Sequence, residues 1–229
     1  MNEAIRAEIA RFISDARSKD TDQPIWRPPL VGFASAADPL FARLKSVVSP
    51  THAMPADLLD GAVTVVAFFV PFTKALAASN KNGRHASEAW ARAYLRTNEL
   101  IRNVSLHMKT FLEDRSYPTQ VMPATHNFDP QTLTSDWSHR HVAFIAGLGR
   151  FGVNNMLITE SGGCGRVGSF LTSAPAEPDV RPTEEACLFR HDATCLHCTR
   201  RCVNDALEAD RFDRHRCYEM CLVNEERFQ

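Results

Sequence analysis

The chain has 229 residues, 44% of them hydrophobic, and a formal net charge of -1. That is apolar material for one domain of roughly 180 residues with a small appended module, and a balance so close to neutral gives no global argument for a polyanion-binding surface or a strongly acidic one. Its most apolar run, residues 62–70, is less than half the ~20 residues a membrane-crossing helix needs and ends at Pro71, so no membrane role is expected.

At the N-terminus, residues 1–20 alternate charge with Ile5, Ile9, Phe12 and Ile13 and hold no continuous apolar core of a secretion signal, which predicts an amphipathic helix and a cytoplasmic protein. The run 62–70 is β-branched and aromatic, bounded by Gly61 and Pro71, and reads as a strand buried on both faces. Helical cover for it is predicted over 86–114, where Trp90, Tyr94, Ile101, Val104, Met108 and Phe111 recur at helical spacing without Gly or Pro.

Residues 117–131, with Pro118, Pro123 and Pro130, read as a loop. Ser135 then caps a helix with Trp137, Phe144, Ile145 and Leu148 on one face, stopped by Gly147, Gly149 and Gly152. Gly147-Leu-Gly149-Arg-Phe-Gly152 also fits G-x-G-x-x-G, but a dinucleotide fingerprint needs a strand before it and a helix after it. Here the order is reversed, so the glycines are expected to end a helix and start a strand. Two strand-like runs, 153–159 and 166–172, flank the turn signal Ser161-Gly-Gly163 and predict a hairpin. Residues 174–182 carry three prolines and no periodicity, which suggests a semi-rigid linker. The expected division is 1–180, an α/β (α+β) domain, and 181–229, a cysteine-rich module.

Seven cysteines are present, six of them between Cys187 and Cys221. The odd total, the clustering and the lack of an export signal favour metal binding over a disulfide framework. In Cys195-Leu-His-Cys198-Thr-Arg-Arg-Cys202 the last three positions of the bacterial ferredoxin run C-x2-C-x2-C-x3-C are matched, with Asp192 in the first place. Cys187, five residues earlier, is the substitute, and Cys217 and Cys221 supply further thiolates. The minimal expectation is one [4Fe-4S] cluster. The alternative is a zinc-stabilised binding module without redox activity, since His191, His197 and His215 lie among the cysteines.

Ser138, His139, Arg140 and His141 place polar groups at the start of a helix, where an anionic group would meet free backbone N–H groups; satisfaction within the core is the competing role. Arg200, Arg201, Arg214 and Arg216 stand near the cysteines, where positive charge favours a reduced cluster, although Asp205, Asp210 and Asp213 offset them.

The segment Ser135-Asp-Trp-Ser-His-Arg-His-Val-Ala-Phe-Ile-Ala-Gly-Leu-Gly149, then Phe151-Gly152, Met156-Leu-Ile-Thr159 and Val167-Gly-Ser-Phe-Leu-Thr172, followed by the cysteine run, resembles short iron-sulfur proteins related to epoxyqueuosine reductase and, more distantly, reductive dehalogenases. The resemblance covers roughly residues 57–221. It implies a nitroreductase-like sheet-and-helix domain able to hold a cobamide, followed by a ferredoxin-like module, with electron transfer from the cluster to a cofactor or substrate. A redox partner protein and a small-molecule substrate are the implied partners. Val203 replaces the proline expected after Cys202, no second cysteine run follows, and no aspartate stands where the larger enzyme carries its catalytic one, Asp129 and Asp136 being merely nearby. No catalytic residue is therefore assigned, and without the larger enzyme's C-terminal recognition repeats a nucleic-acid substrate is not expected.

Overall fold

The computed structural model describes residues 1–18, 24–123 and 128–228. Helix α1 (Asn2–Ser18) buries Ile5, Ile9 and Ile13, four residues apart and so on one stripe; Lys19 and Asp20, to which the sequence reading extended it, lie outside the described residues. Strand β1 (Leu30–Ser35) follows, then α2 (Leu40–Val47), the short α3 (Pro55–Leu58) and β2 (Thr64–Pro71).

Every residue of β2 is buried, as its unbroken apolar sequence requires of a central strand. Its alternation divides the interior in two. Val66, Phe68 and Val70 join α1 and the long helix α5 (Glu88–Glu113) in one core, with Ile101, Val104 and Met108. Val65 and Ala67 face the other way, toward Phe41 and Leu44 of α2 and Val142, Ala143 and Ile145 of α6 (His139–Ile145). Each fully buried large side chain contributes roughly 1.5–3 kcal/mol, so a sheet covered on both faces is what this sequence stabilises. Helix α4 (Lys74–Ser79) precedes α5, whose first turn is capped by Ser87: Oγ accepts from the Trp90 amide at 3.1 Å.

The main sheet has order β1-β2-β6-β3 and is antiparallel throughout, making the fold α+β. Strand β3 (Thr119–Val121) lies within the stretch expected to be loop. Three residues are too few for a periodic signal, and its place is fixed by tertiary pairing, with the Thr119 hydroxyl donating to that of Thr172 at 3.0 Å. Residues 124–127 of that expected loop lie outside the described residues.

The predicted hairpin is not formed. Strand β4 (Arg150–Phe151) pairs with β5 (Leu157–Ile158), while β6 (Gly165–Thr172) pairs with β2 and β3. Thr159 and Gly162 close the expected turn by reciprocal backbone hydrogen bonds, but burial of Phe170 and Leu171 in the two cores draws β6 into the main sheet. Gly165 permits this, because a Cβ there would strike the Val70 carbonyl. The expected helix cap also shifts: Ser135 Oγ accepts from the Trp137 amide at 3.1 Å in a local turn, and α6 begins after Ser138. At its other end Gly147 takes φ +80° and the chain passes into β4, the helix-to-strand order expected for the three glycines.

After β6 the chain runs along the outer edge of β1. The Asp179 amide donates to Phe33 O at 2.9 Å, the Phe33 amide donates back to the Asp179 carboxylate at 3.0 Å, and Arg6 clasps both carboxylate oxygens. Helices α7 (Leu188–Asp192), α8 (His197–Arg200) and α9 (Arg214–Phe228) form the tail. It docks on the α4–α5 loop, where Arg84 donates to Asn204 Oδ1 at 2.9 Å and the Ala86 amide to Asn224 Oδ1 at 2.9 Å, with a further bond from Arg201 to Lys81 O. No helix of the described residues is long and apolar enough to cross a membrane.

Candidate functional site

The start of α6 is held by a chain of hydrogen bonds whose direction can be assigned. Trp137 Nε1 only donates, to Ser169 Oγ at 3.0 Å, which frees the Ser169 hydroxyl proton for His139 Nδ1 at 2.7 Å. Nε2–H of His139 then donates to Pro123 O at 2.7 Å. His139 is thus a neutral imidazole with both nitrogens engaged, and burial, with the Arg166 charge against it, keeps its pKa below the ordinary value.

Ser138 and His141 form a second unit. The Ser138 hydroxyl and His141 Nδ1 lie 2.7 Å apart, and the imidazole rests on Phe151 with ring centroids 4.7 Å apart. Burial and the adjacent Arg140 and His52 charges push the His141 pKa down to about 4. His52, which the sequence reading passed over, is fully buried: Nδ1–H donates to Ala53 O at 2.9 Å and Nε2 accepts the Ser138 amide at 3.1 Å. A lone histidine between Thr51 and Ala53 carries no sequence signal of such a role.

Two arginines face this region. Arg140 donates through Nη1 to Asn155 O at 2.5 Å and toward Met156 Sδ at 3.7 Å. Arg166, on β6, lies 4.3 Å over the Tyr94 ring. Burial lowers the pKa of both. Arg166 was also missed, although a charged residue in a strand that leads into the core is a usable signal.

The structure sorts the cysteines. Cys217 and Cys221 stand one turn apart on α9, on the same face, with the Cys221 thiol directed at Cys217 O at 3.7 Å. Cys202 Sγ accepts the Ala206 amide at 3.3 Å. Burial raises the Cys217 pKa, and the negative charges of Cys221 and Cys202 raise it further, while Arg140 opposes them; burial also raises that of Cys221. Cys217 and Cys221 are nonetheless exposed over part of their surface, and Cys202 is half-buried.

Cys195 and Cys198 are half-buried free thiols at the start of α8. Cys187 holds the N-cap position of α7 and belongs to the β4–β5 side: burial raises its pKa, but the amides of Val153, Arg190 and Phe189 outweigh it and leave the thiol below its usual value. Cys164, the seventh, is exposed. Among the described residues no three His, Cys, Asp or Glu side chains are grouped as a single metal ion requires. The residue types nonetheless suit a thiolate-ligated cluster: Cys217 and Cys221 share one face of α9, and Cys202 Sγ accepts an amide hydrogen bond of the kind that tunes a cluster sulfur.

The two nearby aspartates are occupied locally. Asp129 Oδ1 accepts from the Gln131 and Thr132 amides at 2.9 and 2.7 Å, and Asp136 accepts the Thr51 hydroxyl. The loop between them meets the tail through Phe128 and Tyr218, with centroids 5.7 Å apart, and through Arg214, which donates to Thr132 O at 3.3 Å.

No family model matches the chain, and no curated protein matches it. Among solved structures it is similar to an epoxyqueuosine reductase with a tRNA-Tyr epoxyqueuosine-modified tRNA stem loop, at 23% identity and TM-score 0.57, over 92% of this chain and 56% of that one. The epoxyqueuosine reductase from Bacillus subtilis, with its catalytic loop swung out of the active site, shows 20% identity and TM-score 0.56 over 92% and 55%. That from Streptococcus thermophilus shows 16% identity and TM-score 0.56 over 92% and 56%. The chain spans just over half the length of these structures and shares their fold, as the sequence resemblance implied.

Proposed function

We propose that the chain is an iron-sulfur redox protein, in which a [4Fe-4S] cluster on the 181–229 module exchanges single electrons with a group held by residues 1–180. What supports this reading is the cysteine-rich tail itself: Cys217 and Cys221 stand one turn apart on the same face of α9, and Cys202 Sγ accepts the Ala206 amide at 3.3 Å. Cys195, Cys198 and Cys187 are the remaining candidate ligands, one of which completes a four-thiolate set. The cluster, when bound, supplies one-electron chemistry; the Ala206 amide donating to Cys202 Sγ disperses negative charge from that sulfur.

On the domain side, His139 and His141 remain neutral at physiological pH while Arg140 and Arg166 remain charged. A neutral, hydrogen-bonded wall with two cations suits an anionic group. The fold shared with epoxyqueuosine reductases makes a cobamide, with its single phosphate, the first cofactor to offer. Reduction by a partner protein and transfer to a small molecule complete the reading, which is epoxyqueuosine reductase-like in chemistry. Because one similar structure holds a modified tRNA stem loop, that nucleic acid is assayed beside small molecules, against the sequence expectation.

Protein purified without oxygen is expected to be brown, with iron and acid-labile sulfide in equal amounts. A colourless protein with stoichiometric zinc and no sulfide overturns the proposal in favour of the zinc-stabilised module. Anaerobic titration with a cobamide is expected to give a saturable spectral change; a flat titration removes the cobamide and leaves an electron carrier.

A further inference from the structure

Residues 187–228 fold with almost no interior of their own. Ala206 and Met220 are the buried side chains of that stretch; α7 and α8 bury none and α9 buries one, against eight along α5. Apolar side chains that a packed module would enclose lie open: Leu188 is 57% exposed, Leu222 42% and Val223 40%. Helices of five and four residues do not persist without packing, and one of fifteen is marginal. Ordering each residue of the tail costs conformational entropy that two buried side chains do not offset.

Neither docking nor covalent bonds close that gap. The bonds from Arg84 to Val203 O and Asn204 Oδ1, from Arg201 to Lys81 O and from Arg214 to Thr132 O are all exposed, where a hydrogen bond replaces one to water at small net gain. The six tail cysteines are free thiols, so no disulfide restrains the unfolded tail. They fall in three places: Cys187 at the N-cap of α7, Cys195, Cys198 and Cys202 around α8, and Cys217 and Cys221 on α9. Any four of the six therefore draw on at least two of these places, and a centre holding four thiolates ties separate helices together. The α+β domain needs nothing from the tail, since neither of its cores includes a residue beyond Ala176.

We infer that the metal centre is the core of the tail: filling it folds residues 187–228 and docks them on the α+β domain, and emptying it lets them unfold and undock while the domain stays whole. This rests on the cluster reading above and adds to it a switch set by occupancy. The free energy of binding metal to the thiolates is then free energy of folding. The domain registers the change at Ala86, whose amide donates to Asn224 Oδ1 at 2.9 Å, and at Phe128, whose ring meets Tyr218 edge to face. Asn224 and Tyr218 both leave with α9.

The test is hydrogen exchange, read by mass spectrometry at one pH, on the full chain loaded anaerobically with iron and sulfide and on the same chain stripped by an iron chelator under a thiol reductant. Stripping is expected to speed exchange of residues 187–228 about a hundredfold, to remove protection from the peptide holding Ala86, and to leave β2 unchanged. Restoring iron and sulfide is expected to restore the protection. A stripped tail that keeps its protection to within about threefold overturns the inference. So does loss of protection in β2 together with the tail, which would make the chain one cooperative unit. A chain that takes up no iron and sulfide overturns the cluster reading and this inference with it, whereas an ordered tail in a stripped chain that had held them overturns this inference alone.

Discussion

The backbone amide of Ser138 donates to Nε2 of His52 at 3.1 Å, across 86 positions of sequence, and this bond ties the start of α6 to the segment after α2. His52 reaches it from a fully buried position, its other nitrogen spent on Ala53 O. His52→Ala leaves a buried amide without an acceptor and a ring-sized void, so a loss of about 3 kcal/mol in urea unfolding is expected. His52→Asn, which restores part of the polarity, is expected to lose less.

Three histidines around α6 impose a pH dependence. His52, His139 and His141 all have folded pKa values below the ordinary 6.5, with His141 at about 4. Between the folded and unfolded values the unfolded chain binds more protons, so stability rises with pH. It is complete above about pH 6.5 and is lost as pH falls through the folded values. For His141 the loss is on the order of 2 kcal/mol after discounting for its partial exposure. Glu8, held at about 2, gives up its contribution only below its unfolded value of 4.5, so the window from 6.5 to 4.5 isolates the histidines. Urea midpoints across that window are expected to fall for wild type and to fall less for His141→Gln.

Ser169 is the relay between Trp137 and His139. Ser169→Ala orphans a fully buried indole N–H and an imidazole nitrogen, and is expected to cost about 2 kcal/mol. Near-ultraviolet circular dichroism should report loosened Trp137 packing; an unchanged spectrum and midpoint would contradict the assigned network.

The three glycines after α6 act through space rather than through a nucleotide. A Cβ at Gly149 would overlap the Ile158 carbonyl, whereas at Gly162 it would meet nothing. Gly149→Ala is therefore expected to cost about 3 kcal/mol by forcing β4 from β5. Gly162→Ala, strained only by its φ of +88°, should cost about 1 kcal/mol. Equal losses in thermal unfolding would refute the distinction.

Arg84 belongs to the α4–α5 loop but bonds to Val203 O and Asn204 of the tail. Arg84→Ala is expected to leave the sheet intact and to speed hydrogen exchange and proteolysis of residues 195–228 several-fold. Protection equal to wild type would show that the tail docks without it.

What was legible in the sequence follows the physics of each element. Helices α1 and α5 and strand β2 were read within a few residues, because each carries enough periodic or continuous apolar residues to fix its class alone. Strands β1 and β3 left no such trace: Gly32 interrupts the first, and the second has three residues. The pairing of β6 was misread because a turn signal reports that the chain reverses, not which strand it then joins. Within the site, the residues at 138–141 and the cysteines were legible as chemical types. Their placement was not, since Cys217 and Cys221 are carried on α9, and His52 and Arg166 arrive from distant segments.

The way Asp179 lies along β1 bears on how the protein is to be divided. Trimming the chain just after β6, at residue 172, would remove the residue that occupies the outward N–H and C=O of Phe33 and release Arg6 with them. The bared margin would be free to recruit a strand from another molecule. A fragment ending beyond Pro182 keeps its own seal, and should stay monodisperse where the shorter one clumps.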